Sequence, residues 1–130
     1  MISSSSKYSL SRTCKVLAVG CDPDSLAANA SVLRTAGFEV SPVTLQQTLR
    51  RLDTERFDAV VLCPSLNQRQ ASAVLALVQS LQREMPVIQV YTNVPDPAFR
   101  FAAPSYSPSI LLSVLGRALE GDVRALRATA

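Results

Sequence analysis

A chain of 130 residues that is 48% hydrophobic and 18% charged is long enough for one domain with a buried core and too apolar for a disordered one. Its net charge of +3 comes from arginines scattered along the sequence, with no basic stripe or reading module, which argues against nucleic acid as a partner. Histidine is absent, and that removes imidazole acid–base catalysis, Ser-His-Asp and Cys-His nucleophiles and most transition-metal sites.

Cys14, Cys21 and Cys63 form an odd set without CxxC spacing, a poor framework for disulfides or zinc. The longest apolar runs, such as residues 59–63, fall far short of the roughly 20 residues that cross a bilayer. Residues 1–7 carry no apolar stretch of the kind a secretory signal needs. A cytoplasmic protein without a membrane partner is expected.

In chain order, residues 1–13 are Ser-rich and polar and read as a tail. Residues 15–20 (KVLAVG) make a short apolar strand, with Gly20 read as a turn glycine. Asp22 is placed to cap a helix, and it reads as a cap before it reads as a metal ligand. Pro23 follows at the first helical position, where its missing N–H costs nothing. Leu26, Ala30 and Leu33 share one stripe of that helix, and Gly37 ends it.

Residues 38–43 read as a second strand; Pro42 cannot donate to a ladder and suits an edge. Thr44 caps a second helix in which Leu45, Leu49 and Leu52 recur at helical spacing. Residues 58–63 are apolar after Asp58, as expected of a strand covered on both faces. A third helix is expected over residues 67–84, with Ala71, Val74, Leu75, Val78 and Leu81 inward. Residues 86–91 make a fourth strand. Residues 93–98 contain Pro95 and Pro97 and are too short for a well-formed helix, and residues 100–103 are a weak fifth strand. Ser107-Pro108 repeats the cap-plus-proline signal. Leu111, Val114, Leu115, Ala118 and Leu119 then give an amphipathic final helix that Gly121 is expected to break. Domain boundaries at residues 14 and 121 follow, with a C-terminal tail over 122–130.

Strands alternating with helices through right-handed crossovers predict an α/β fold. The sheet is expected to be single, doubly wound, five-stranded and parallel, in the order 2-1-3-4-5, with the Pro42 strand at an edge.

Three segments then carry a resemblance. Residues 16–23 (VLAVGCDP) are similar to a first strand and its acidic turn, residues 57–63 (FDAVVLC) to a third strand, and residues 86–92 (PVIQVYT) to a fourth. At this spacing and order the chain resembles a response-regulator receiver domain of the CheY-like, flavodoxin-like kind, over roughly residues 14–120. In receivers two acidic residues after the first strand hold Mg²⁺, and an aspartate after the third accepts phosphate. A Ser or Thr after the fourth senses that phosphate, and a Lys after the fifth contacts it. Carried over by position, the acidic pair falls on Gly20 and Cys21, with Asp22 the neighbouring carboxylate, and the acceptor falls on Cys63. The Ser/Thr position is Tyr91, or Thr92 on a one-residue shift, and no lysine follows Lys15.

The resemblance therefore implies a receiver fold with a degenerate phosphorylation pocket. Mg²⁺ wants hard oxygen ligands in near-octahedral geometry, and a glycine, a thiol and one displaced carboxylate do not supply them. Without metal and lysine nothing neutralises a transferring phosphoryl group. The expectation is a stand-alone pseudo-receiver in signal transduction that is not an enzyme, has no cofactor and binds a protein partner without Asp phosphorylation. The usual fourth helix is expected to be reduced to a Pro-containing loop, and the partner surface to lie on that segment and the final helix, with Phe99, Phe101, Tyr106 and Leu112. Alternation puts Phe99 and Phe101 on one face. The alternative is a redox or small-molecule sensor in the pocket around Cys21 and Cys63, which end neighbouring strands at the switch point. A disulfide there needs Cα atoms about 4.4–6.8 Å apart, and no nearby His or Lys lowers either thiol's pKa. The oligomeric state stays open.

Overall fold

The computed structural model describes residues 13–129, with side chains through residue 120. The expectation for the polar N-terminal stretch thus falls outside the described residues, apart from Thr13. The elements are β1 (Lys15–Val19), α1 (Pro23–Thr35), β2 (Glu39–Val43), α2 (Leu45–Thr54), β3 (Ala59–Leu62), α3 (Gln68–Leu81), β4 (Val87–Tyr91), β5 (Phe101–Pro104) and α4 (Pro108–Thr129). All strand pairs are parallel, in the order β2-β1-β3-β4-β5. Among the described residues no helix is long and apolar enough to cross a membrane.

The period-2 alternation of a strand sends successive residues to opposite faces, so this sheet has two cores. Val16, Ala18, Ala59, Val61 and Ile88 meet Ala30 and Leu33 of α1 and Leu111 and Leu115 of α4. Leu17, Val19, Val60 and Leu62 meet Leu52 of α2 and Ala71, Val74 and Val78 of α3. Both faces are covered, and the central strands accordingly read as unbroken apolar runs.

Local chemistry sets the helix ends. Asp22 Oδ2 accepts the Ser25 N–H at 3.0 Å at the start of α1. At its end the Gly37 N–H donates to Arg34 O at 2.9 Å and the Phe38 N–H to Leu33 O at 3.1 Å. That is a Schellman closure, and the positive φ of 102° at Gly37 is what it needs. At α3 a reciprocal capping box joins Asn67 and Gln70 at 2.8 and 2.9 Å.

Each edge strand holds a proline. Pro42 sits opposite Ala18 and Pro104 opposite Tyr91. The ladder runs through the residues that follow them: Gly20 N–H donates to Val43 O, and Ser105 N–H to Tyr91 O. Both proline nitrogens therefore face away from the neighbouring strand, on the outer edge, where a missing donor denies pairing to another chain.

Four local expectations need correction. In α2, Thr48 is buried while Leu49 is 55% exposed; the Thr48 hydroxyl donates to Thr44 O at 2.9 Å, so it enters the core already satisfied. In α3, Leu81 is exposed, because the helix stops there as Gln82 turns to φ −142°. Phe99 and Phe101 do not share a face: Phe101 packs on the α1/α4 core and Phe99 lies in the α2/α3 core. A turn closed by Phe99 N–H on Asp96 O at 3.0 Å breaks the alternation before β5 begins. Gly121 does not end α4, which continues to Thr129 in place of the expected tail. One interior glycine costs a helix only about 1 kcal/mol relative to alanine.

Candidate functional site at the ends of β1 and β3

Pairing of Val19 with Leu62 brings the next residues of both strands side by side. Cys63 N–H donates to Val19 O at 2.8 Å, and Gly20 N–H donates across the other side to Val43 O at 3.2 Å. Gly20 and Cys63 are buried. A Cβ at position 20 would lie 3.2 Å from Cys63 Cβ, 3.2 Å from Ser65 Oγ and 3.5 Å from Cys63 Sγ. Gly20 has no positive φ, so close approach explains it and the turn reading does not.

The flanking turn is tied down by residues that the sequence did not single out. Cys21 N–H donates to Ser65 Oγ at 2.9 Å. The Cys21 thiol donates to Gln70 Oε1 at 3.6 Å, an oxygen already accepting from Asn67 N–H in the capping box. The one local signal was a small hydroxyl residue two places beyond the apolar strand.

Asp22 is exposed, and its carboxylate is committed to the α1 cap. Tyr91 is half-buried at the end of β4 and Thr92 is exposed beyond it. Neither side chain hydrogen-bonds into the corner among the described residues. The structure thus joins Gly20, Cys21 and Cys63, and among the described residues no hydrogen bond ties the Asp22, Tyr91 or Thr92 side chain to them.

Burial pushes the Cys63 thiol up to about 12, so it is neutral at physiological pH and poor as a nucleophile or metal ligand. The Mg²⁺ that the fold resemblance implies does not fit. Gly20 offers no ligand, Cys21 and Cys63 offer soft sulfur, and Asp22 is a cap. Among the described residues no three His, Cys, Asp or Glu side chains converge on a point.

A groove of about 860 Å³ lies at the opposite end of the sheet, between residues 52–58 and 81–85. Two of its carboxylates are engaged by residues behind it. Glu55 accepts from Arg51 at 2.6 Å and from Lys15 at 3.3 Å, Asp58 accepts from Lys15 N–H at 2.8 Å, and both cations flank the Phe57 ring. The Arg51 hydrogen bond, with Lys15 behind it, holds the Glu55 carboxyl below its ordinary value.

Of the expected surface residues, Phe99 is buried, Phe101 and Leu112 are half-buried against the core, and Tyr106 is 78% exposed. Val94 and Ile110 are exposed too. All three exposed residues stand at the end of the sheet that holds the Gly20–Cys63 corner.

No family model matches the sequence, and no curated protein does. Solved structures match along most of their length. The chemotaxis protein CheY4 of Vibrio cholerae is 21% identical with a TM-score of 0.70, over 82% of this chain and 99% of that one. The fold is the CheY-like receiver fold. A CheY-like receiver domain protein from Methanospirillum hungatei gives a TM-score of 0.73 at 16% identity, over 88% of this chain and 99% of that one. The receiver domain of a sensor histidine kinase from Pseudomonas aeruginosa, solved with magnesium in its active-site cleft, gives 0.70 at 18% identity, over 84% and 99%. Within this receiver fold the fourth crossover, residues 92–100, is a loop. It is braced by Asp96 N–H donating to Gln89 Oε1 at 2.9 Å and anchored by buried Phe99.

Proposed function

We propose that the chain is a pseudo-receiver, a signal-transduction module that acts by contact with a protein partner, without aspartyl phosphorylation and without catalysis. The observation that carries this reading is the corner itself. At the position matching the receiver's phospho-acceptor stands Cys63, a buried thiol raised to about 12 by desolvation, and Gly20 beside it brings no carboxylate. No lysine follows Lys15 to meet a phosphoryl group. Contact remains as the means of action, and exposed Val94, Tyr106 and Ile110 offer apolar area for it. A cytoplasmic location goes with this reading.

The alternative, a redox or small-molecule sensor at the same corner, gains no support from the geometry. One of its two thiols is sealed and protonated, and Ser65 fills the space beside Gly20.

The test is an NMR titration of the ¹⁵N-labelled protein with Mg²⁺ and beryllofluoride, the phosphoryl mimic. The expected spectrum is silent at Gly20, Asp22 and Cys63. Saturable shifts there overturn the proposal.

A further inference from the structure

We infer that Ser65 is a clasp across the switch point of the sheet. It ties the β1–α1 turn to the β3–α3 loop by protein hydrogen bonds, in the place where the resemblance puts a cation, and the bare backbone of Gly20 is the condition for it. The clasp itself stands on geometry; only the statement that no cation shares the corner rests on the reading of it as no phosphorylation site.

Gly20 sets the condition for the clasp. Its backbone does not need glycine, since its φ is not positive. The space beside it does. Any Cβ there would stand 3.2 Å from Ser65 Oγ and from Cys63 Cβ, inside ordinary contact distance. Cys63 sits on a strand pinned to β1 by its own N–H, so the group free to give way is the Ser65 hydroxyl, which would leave the Cys21 N–H it accepts at 2.9 Å. The second link, Cys21 thiol to Gln70 Oε1, ends on the atom that closes the α3 capping box. The two helix starts at the switch point are therefore joined through Cys21 by hydrogen bonds within the protein.

Residue-resolved hydrogen exchange on the full chain tests this. The Cys21 amide is expected to be protected although its residue is exposed. Ser65→Ala is expected to speed its exchange about tenfold or more and leave the sheet amide of Cys63 unchanged, while Ser65→Thr keeps protection. Gly20→Ala is expected to release the same amide; should that variant not fold, Ser65→Ala decides alone. Millimolar magnesium is expected to change none of these rates. A Cys21 amide open in the native protein, indifferent to Ser65→Ala, or slowed by magnesium overturns the clasp. A beryllofluoride response beside an intact, Ser65-dependent Cys21 amide would instead sink the proposed function and leave the clasp standing.

Discussion

Cys63 shows how burial alone can set the chemistry of a residue. Desolvation penalises the thiolate and carries its pKa from 9.0 to about 12. The unfolded chain loses this proton first as pH rises, so above about pH 9 the unfolded state binds fewer protons and stability falls. The contribution is whole below that point and is lost through the window up to about 12. Denaturant midpoints measured between about pH 8 and 10.5 are expected to fall more steeply for the native chain than for Cys63→Ala. Equal slopes would mean that the thiol is not sealed. Thiol labelling of the folded protein should mark exposed Cys21 well before Cys63, and equal rates would say the same. The identity of Cys63 at the strand's end was legible in the sequence. Its sealing was not, because the groups that cover it come from other elements.

Among the elements, the edge strands carry the clearest design. A parallel sheet of five strands leaves two outer edges, and each here presents a proline nitrogen in place of a donor. Pro42→Thr restores an outward N–H on exposed β2 and is expected to raise the average mass in sedimentation, with the fold intact. An unchanged mass distribution would show that the edge is guarded by other means, such as the Arg34 side chain that donates to Val40 O at 3.2 Å. The edge position of β2 was readable from Pro42. The burial of Thr48 in place of Leu49 was not: periodicity ranks residues by hydrophobicity and takes no account of a hydroxyl satisfied by its own helix. The stop at Leu81 was likewise hidden, since it depends on the turn at Gln82.

For the molecule as a whole, the loop that replaces the fourth crossover helix decides which aromatics are structural. Phe99 is drawn into the α2/α3 core, and Phe99→Ala is expected to cost about 3–5 kcal/mol in chemical denaturation. Tyr106→Ala, at an exposed position, is expected to stay within about 0.5 kcal/mol of the native protein and to weaken binding once a partner is in hand. Comparable losses for the two would place Tyr106 in the fold and remove it from the surface.

The sequence by itself determined the fold class, the strand order and the residue types, a glycine and two cysteines, at the ends of β1 and β3. Those follow from local periodicity, from proline's missing donor and from residue identity, all of which are written along the chain. Only the tertiary structure decided that Gly20 serves close approach, that Phe99 and Phe101 part to opposite cores, and that Ser65 meets Cys21. The last contact spans 44 positions, and its geometry exists only once β1 and β3 lie side by side.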